Sequence, residues 1–355
     1  MTAPAIAISR LDDGAVEAYD AFVRRMPDAL FYHGTAYRRL LRRFLGAEDR
    51  YFVARNDAGT VVGVLPSFMT GGDRPVLNSL PFYGSHGGPI VDAAHPAARR
   101  ALLEAFDALA ADANCAAATI VASPFDGHPP SYDDIVVRDA TDDRLGQITP
   151  LPEAADGAAD ELMRRFHHKS RTAIRKAQSL AMTVGKGPDA DAFEFLVHTH
   201  ESEIAAKGGL PKPRRFFSML ADTLEYGRDY DIWFARHGGR LVAALLLLYF
   251  NRTVEYFTPV VAPDARAAQP LSRVILDAMA DAVSRGFAFW NWGGTWASQV
   301  GLRRFKQRLG ARDCPYRSYT RVRDAALLDA SPQALAARYP YFFVVPYRLL
   351  RTAAP

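Results

Sequence analysis

Apolar side chains recur along the chain with two spacings, one typical of helices and one typical of short strands. Helical spacing predicts helices over residues 16–25, 35–45, 99–112, 161–181, 191–206 and 271–285. Alternating or short continuous apolar runs between turn residues predict strands over 51–55, 60–68, 116–122, 233–236, 241–245, 254–258 and 287–292. Helices and strands that alternate in this way predict an α/β (α+β) chain.

The order of these elements is repeated. In each half of the chain a hairpin is followed by an irregular segment, a helix and a strand, over residues 52–122 and again over 233–292. Any α/β chain contains hairpins, but the shared order favours a duplicated domain, and its period is far longer than the roughly 20 to 50 residues of a solenoid repeat. The sequence therefore predicts two tandem domains, residues 1–155 and 156–320, each a mixed, twisted sheet flanked by helices.

Composition adds limits to this picture. A chain of 355 residues is longer than one ordinary hydrophobic core organises. The net charge of +4 attracts phosphates mildly and argues against an extensive nucleic-acid-binding surface. Cys115 and Cys314 lie far apart, which argues against a disulfide framework and a cysteine-based zinc site. No apolar run is long enough for a transmembrane segment and no signal-peptide pattern is visible, so we expect a cytoplasmic protein.

The segment 286–312 carries the most distinctive chemistry. Its aromatic strand ends at a Gly-Gly pair, which predicts a turn, and in the helix that follows Leu302 and Phe305 lie on the packed face with Lys306 at its edge. The cations of this segment, with no acid before Asp313, are Arg303, Arg304, Lys306, Arg308 and Arg312. A cationic cluster just beyond a strand suits a phosphate or a developing oxyanion, although a solvated helix face is the simpler explanation for this segment alone.

Further basic and aromatic candidates lie in the second half. Arg171 and Arg175 are one helical turn apart, so they can present adjacent guanidinium groups to a phosphate, although a solvated face explains them as well. Arg266 precedes the helix predicted at 271–285, whose N-terminus attracts anions. Tyr256 lies on a predicted strand, in the core or in a cleft.

In the first half, the loop at 79–89 is rich in glycine and aromatic residues. Around Tyr83 and His86 it suits either close approach of a substrate to the backbone or a plain tight turn. A metal site at His198 and His200 is disfavoured, because positions two apart on a helix point in different directions. The sequence contains no GxSxG nucleophile elbow, no P-loop and no GxGxxG motif.

In their order, these features resemble the FemABX peptidyltransferases, a subgroup of the GNAT acyltransferase superfamily. The matching motifs are the run from Ser79 to Gly84, the basic segment from Arg171 to Ala177, Gly208-Gly209-Leu210-Pro211 with Phe216-Phe217, and the run from Gly301 to Gly310. The likeness covers most of residues 30–320. It implies that residues 321–355 return to complete the first domain and that the active cleft lies between the domains, lined by Tyr83, His86, Tyr256, Phe305 and Lys306.

The resemblance also implies roles for individual residues. Lys306 is expected to stabilise the transition state of acyl transfer, and Phe305 to line the channel of the acyl donor. The general base stays open between Glu201 and His86. We expect the basic residues of the second half to bind substrate: Arg171, Arg175, Arg266, Arg303 and Arg304.

These inferences predict an acyltransferase that forms an amide bond. The basic helices favour an aminoacyl-tRNA donor, bound by its acceptor arm, with an amine of a cell-envelope precursor or metabolite as the acceptor; no tightly bound cofactor or metal is expected. Two alternatives stay open. One is an acyl-CoA-dependent N-acyltransferase that acts on a sugar, a polysaccharide precursor or a natural product, and the other is a non-catalytic binding module for a phosphorylated ligand.

Overall fold

The computed structural model describes residues 6–80, 86–126, 132, 135–153 and 156–351. The chain divides into two compact units. The first comprises residues 1–145 with 314–355, and the second comprises residues 146–313. Among the described helices, none is both long enough and apolar enough to cross a membrane.

The described elements are numbered in chain order. The strands are β1 (Ala7–Arg10), β2 (Glu48–Asp49), β3 (Phe52–Arg55), β4 (Val61–Leu65), β5 (Phe68–Met69), β6 (Val76–Asn78), β7 (Ile90–Val91), β8 (Ala117–Val121), β9 (Ala140–Pro150), β10 (Thr183–Lys186), β11 (Tyr230–His237), β12 (Arg240–Phe250), β13 (Thr253–Val261), β14 (Phe289–Thr295) and β15 (Arg312–Val322). The helices are α1 (Val16–Arg25), α2 (Thr35–Leu45), α3 (Ala97–Asp112), α4 (Ala158–Arg165), α5 (His168–Ser179), α6 (Ala190–Ala206), α7 (Arg214–Thr223), α8 (Pro270–Ser284), α9 (Val300–Arg308) and α10 (Pro332–Arg338). Short 3-10 helices lie at Asp13–Ala15, Phe31–His33, Pro263–Ala268, Ala325–Asp329 and Tyr347–Leu349.

The first unit contains two sheets. One has the order β1-β3-β4-β7 and is antiparallel throughout. In the other, β8 pairs antiparallel with Ser318–Val322 of β15 and parallel with β6, and the order continues through β5 to β2. Helix α3 packs on β3 and β4, so that Leu102 and Phe106 join Leu65 in the core.

The C-terminal residues belong to this first unit. Leu335 of α10 and Val345, which follows it, are buried in one cluster with Val76 of β6 and Ala117 of β8. Strand β8 begins with small alanine side chains, and the apolar side chains of the C-terminal residues pack against this end of the β6–β8 pair.

The second unit is built on a mixed sheet with the order β10-β11-β12-β13-β14. Its strands are antiparallel except for the parallel pair β13–β14. Helix α8 packs against β11, β12 and β13, and its Ile275 and Met279 are buried with Leu245 and Trp290. The predicted class, a mixed α/β protein with helices flanking mixed sheets, is confirmed.

Three local predictions were wrong. The helix predicted over 161–181 is two helices, because Phe166 is extended and buried and the side chain of His167 caps α5. The predicted Gly-Gly turn lies inside strand β14, where Gly293 takes a left-handed φ of 75° and its N–H donates to Oδ1 of Asn291. Glycine permits this kink without ending the strand. Leu302, placed on the packed face by the sequence, is exposed.

Candidate active site

The side chain of Lys306 is buried against the end of strand β14. Its Nζ donates to Oγ1 of Thr295, the last residue of that strand, over 2.6 Å. Only 3% of Lys306 is exposed, and no ion pair of Lys306 is found in the described part of the chain. A buried ammonium without a carboxylate partner is costly, so such a group is a candidate for function.

Thr295 connects Lys306 to a chain of hydrogen bonds that ends at a carboxylate. The hydroxyl of Thr295 donates to Oε1 of Gln147 over 2.9 Å, and Nε2 of Gln147 donates to Oδ1 of Asp313 over 3.0 Å. The other carboxylate oxygen accepts from Arg303 at 2.5 Å and from Gln307 at 2.9 Å. Side chains of the second unit thus fix the surroundings of the ammonium.

Burial lowers the pKa of Lys306 to about 8. An ordinary lysine has a pKa near 10.4, so this side chain is mostly protonated at neutral pH but loses its charge within the range in which enzymes work. Because its surroundings are poor in water, the remaining charge interacts strongly with any negative charge nearby. The geometry therefore suits stabilisation of an oxyanion.

Strands β13 and β14 pair briefly and then separate. The pairing runs from Thr253 with Phe289 to Glu255 with Asn291, and in the described residues it goes no further. Strand β13 continues to Val261, paired on its other side with β12, and the register of that pair shifts at Phe257. The edge of β13 that faced β14 is therefore open to a ligand beyond Glu255.

A cavity of about 620 Å³ lies along this open edge. Consecutive residues of β13 from Tyr256 to Val261 line it. A cavity on one face of a strand would be lined by every second residue, so this unbroken run indicates that the cavity lies against the edge of β13. Residues of α6, α8 and α9 line its other sides, and the volume is typical of small-molecule sites. The lysine and arginine side chains that line it are Lys207, Lys212 and Arg266, and Glu203 is the acid.

Lys212, a second buried lysine, lines the cavity. It is 7% exposed, and its Nζ lies 4.7 Å from the centroid of the Phe257 ring. Its backbone N–H donates to Nε2 of His200 over 3.0 Å, so that histidine nitrogen carries no proton. Burial lowers the pKa of Lys212 to about 7. Burial, and then the charges of Lys212 and Lys207, lower the pKa of His200 to about 4, so His200 is neutral at pH 7.

Three of the residues selected from the sequence meet at this cavity: Tyr256, Phe305 and Arg266. The ring of Trp292 lies 4.8 Å from that of Tyr256 and 6.0 Å from that of Phe305. Arg266 pairs with Glu203 at 2.6 Å. Lys306 is not among the residues that line the cavity, because the next position on a helix points about 100° away. The structure places Phe305 at the cavity and Lys306 at Thr295.

The other basic candidates lie on or near two helices that touch. The backbone N–H of His167 donates to the carbonyl of Arg308 over 2.9 Å, which joins the start of α5 to the end of α9. Residues 162–188 and 282–312 contain no aspartate or glutamate, so this contact joins two cationic segments. Arg171 donates to the carbonyl of Phe166, and Arg175 and Arg304 are exposed. Arg303, a neighbour of Arg304 on α9, forms a salt bridge with the carboxylate of Asp313.

The remaining sequence candidates lie elsewhere. Tyr83 falls outside the described residues. His86 belongs to the first unit, where it is buried with its ring edge-on to Tyr316 at 4.6 Å. Glu201 accepts from the backbone N–H of Arg214 at 2.8 Å. Within the described ranges, no three histidine, cysteine, aspartate or glutamate side chains are grouped in a way that could hold a metal.

Sequence reasoning did not select Thr295, Gln147 or Lys212. Gln147 stands 148 positions before its partner Thr295, so no local spacing could connect them. Lys212 did carry a signal, because a proline on either side fixes the backbone of its loop. Such a lysine is more constrained than one on a flexible loop.

Comparison with protein families assigns the core of the second unit. Residues 164–307 match the acetyltransferase (GNAT) domain family. This range contains both sides of the β13–β14 separation, the cavity-lining residues and Lys306. Among curated proteins, no sequence matches the chain significantly.

Solved structures share the fold over most of the chain. FemX matches with a TM-score of 0.65 at 15% identity, covering 88% of this chain and 96% of FemX. L-PGS from Bacillus licheniformis matches with a TM-score of 0.55 at 14% identity, covering 94% and 99% of the two chains. A tandem GNAT protein from the clavulanic acid biosynthesis pathway matches with a TM-score of 0.52 at 13% identity, covering 90% and 99%. The chain thus contains an acetyltransferase (GNAT) domain over residues 164–307, within a fold that it shares with FemX and with a tandem GNAT protein.

Proposed function

We propose that this chain is an acyltransferase that forms an amide bond by moving an aminoacyl group from tRNA to an amine, with Lys306 stabilising the charge that develops. The observation that carries the proposal is the buried ammonium of Lys306, which Thr295 fixes beside the cavity-lining Phe305. A preorganised cation in a water-poor setting is suited to a tetrahedral oxyanion.

The proposed reaction needs no covalent enzyme intermediate. The amine nitrogen attacks the carbonyl carbon of the aminoacyl ester, the C–N bond forms, and the carbonyl oxygen becomes an oxyanion opposite Lys306. Collapse of this adduct breaks the ester C–O bond and releases the terminal hydroxyl of the tRNA, while the proton lost by the amine balances the proton gained by that hydroxyl. Phe305 and Tyr256 hold the donor in the cavity, and Arg266 lies at the same cavity.

The cationic contact between α5 and α9 supports tRNA as the donor. Two acid-free segments meet there, and Arg171, Arg175 and Arg304 lie on them. Guanidinium groups bind phosphates with salt-dependent affinity. The resemblance to the FemABX peptidyltransferases supports an acceptor amine on a cell-envelope precursor. The fold shared with a tandem GNAT protein of the clavulanic acid biosynthesis pathway supports a metabolite amine instead.

The donor is tested by incubating the protein with a mixture of aminoacyl-tRNAs and a panel of amines, followed by mass spectrometry of the products. We expect a new amide whose formation stops when RNase is added first. Arg175→Gln is expected to weaken tRNA binding several-fold and to reduce the slope of log affinity against log salt by about one. Product formation that RNase does not affect would exclude the tRNA donor.

An acyl-CoA donor is the second candidate. The match to an acetyltransferase domain favours it, as does the cavity along the open edge of β13, whose backbone groups suit the amides of an extended donor arm. Replacing the tRNA by acetyl-CoA and measuring free thiol release with the same amines separates the two donors.

Lys306→Met separates an enzyme from a binding module. An enzyme loses turnover while its ligand affinity stays within a small factor. A module that only holds a phosphorylated ligand loses affinity and shows no turnover with either donor, in the native chain or in the variant.

A further inference from the structure

The hydrogen-bond chain behind Lys306 has a fixed direction. Asp313 carries a carboxylate, which only accepts, so the amide NH₂ of Gln147 must face it and the amide oxygen must face Thr295. That oxygen only accepts, so the hydroxyl proton of Thr295 points at Gln147. The lone pairs of Thr295 are therefore left for Lys306, whose Nζ must be the donor.

We infer that Thr295 and Gln147 are positioning residues that act through Lys306, and that they hold its side chain as an oriented ammonium at the reaction centre. The inference rests on the proposed function only for what the ammonium does; how it is held follows from the contacts. Neither residue needs to touch substrate. Thr295 fixes one N–H of Lys306, which orients the whole group, and Gln147 prevents Thr295 from turning its proton towards Lys306.

The carboxylate of Asp313 supports the ammonium from a distance. Gln147 separates it from Thr295, so no proton can pass along the chain, because an amide does not exchange its proton readily as a carboxylic acid does. The negative charge polarises each donor in turn and so favours the charged form of Lys306. Arg303 and Gln307 hold this carboxylate in place, which gives Arg303 a structural task in the site.

The composition of the chain makes this inference directly measurable. The chain has six lysines, at positions 169, 176, 186, 207, 212 and 306. In protein labelled with ¹³C at lysine Cε, each contributes one NMR signal whose shift follows its own titration. The signal of Lys306 is identified because it disappears in Lys306→Arg, so its pKa can be read without any substrate.

The test is Thr295→Val, which keeps the shape of the side chain and removes the hydroxyl. Because a hydrogen bond to a charged group is lost, we expect the pKa of Lys306 to fall by about one to two pH units. Thr295→Ser restores the acceptor and the native pKa, and Gln147→Leu lowers the pKa less than Thr295→Val. Thr253→Val is the matched control, because it makes the same change at another buried strand threonine. Thr253 is the first residue of β13 and pairs with Phe289 of β14. Phe289 lies six residues before Thr295, so the control site is roughly 20 Å from Thr295.

Activity provides a second readout with aminoacyl-tRNA and the acceptor amine. Thr295→Val is expected to lower kcat with little change in KM and to move the alkaline limb of the kcat–pH profile to lower pH. A Thr295→Val protein with a native melting temperature and an unchanged Lys306 pKa overturns the inference. If Thr295→Val does not fold, Gln147→Leu and Thr295→Ser decide by the same NMR titration. If the pKa shifts as expected while Lys306→Met keeps full turnover, the positioning stands and the proposed catalytic role of Lys306 fails.

Discussion

The second unit contains two buried lysines, and they are buried in different ways. Lys306 donates to a hydroxyl at the head of a hydrogen-bond chain, and burial lowers its pKa to about 8. Lys212 lies over the face of Phe257 and beside the cavity, and burial lowers its pKa to about 7. The hydrogen bond to Thr295 fixes where an N–H of Lys306 points, and the ring of Phe257 attracts the ammonium of Lys212 to its face.

The two lysines also differ in pKa, so that Lys306 keeps its positive charge to a higher pH than Lys212 does. At pH 7 Lys306 is mostly an ammonium, whereas Lys212, whose pKa is lowered further, loses its proton more readily. Lys306 is therefore suited to stabilising an anion throughout the reaction. The side chain of Lys212 lies at the cavity, so a charged ligand bound there would change the protonation of Lys212.

The largest expected effect distinguishes the two lysines by kinetics. Lys306→Met should lower kcat about 100- to 1,000-fold with ligand affinity little changed, because it removes charge stabilisation in the transition state. Lys212→Met, the matched control at the cavity, should act mainly on KM. In native protein kcat should fall as pH rises through about 8, where Lys306 loses its charge. Initial rates with whichever donor the RNase and acetyl-CoA assays support test this, and equal losses of kcat in both variants would contradict the distinction.

The next largest effect is on stability as a function of pH. An unfolded lysine keeps its proton up to about pH 10.4, and folded Lys212 loses its proton from about pH 7. Unfolding therefore takes up a proton between these values, so the free energy of unfolding rises with pH, by at most about 1.4 kcal/mol per pH unit from this group. Lys306 also makes the free energy of unfolding rise with pH, beginning at about pH 8.

Urea unfolding between pH 6.5 and 9.5 measures this dependence. Lys212→Met should remove most of the rise between pH 7 and 8, where Lys306 contributes less, and should reduce the slope above pH 8 by about half, because both lysines contribute there. Lys306→Met should leave most of the rise between pH 7 and 8 in place and should also reduce the slope above pH 8 by about half. A native profile that is flat from pH 7 to 9.5 would show that neither lysine is shifted.

A smaller effect tests the ring under Lys212. Phe257→Leu keeps an apolar side chain and removes the aromatic face, so the charged form loses its attraction to the ring. We expect the pKa of Lys212 to fall by about one further unit and that of Lys306 to stay in place. The six-lysine NMR titration reports both values in one experiment, and a rise in the Lys212 pKa would show that the ring acts only by excluding water.

The smallest effect is expected at the cavity rim. Arg266 pairs with Glu203 at 2.6 Å, but its side chain is largely exposed. Such pairs contribute about 0 to 1 kcal/mol, so Arg266→Gln should change the free energy of unfolding by less than about 1 kcal/mol while weakening donor binding. A large loss of stability would mean that the rim, and not the buried lysines, organises this end of the unit.

Much of the secondary structure followed from the sequence because its causes are local. The helix predicted at 16–25 matches α1, and the helices at 35–45, 99–112, 191–206 and 271–285 agree with α2, α3, α6 and α8 within two residues. Apolar period, proline at a helix start and glycine at its end act within a few residues. The break at Phe166 escaped prediction because burial of that side chain elsewhere in the unit competes with helix propensity.

For the site, too, only the features with local causes could be predicted. The residue types of Phe305 and Lys306, and their place after an aromatic strand, were visible in the sequence. Their different surroundings were not, and neither was the exposure of Leu302, because the helical period leaves open which of two adjacent positions faces the core.

By itself the sequence determined most of the helices and the choice of Lys306 as the cation of interest. Only the tertiary structure decided that Lys306 contacts Thr295, that Gln147 and Asp313 continue the hydrogen-bond chain from Thr295, and that strands β13 and β14 separate. The physical reason is that hydrogen bonds and burial depend on distances in space, whereas the sequence records only distances along the chain. The environment that sets the charge of a lysine is assembled from residues more than a hundred positions apart, and it exists only once the unit has folded.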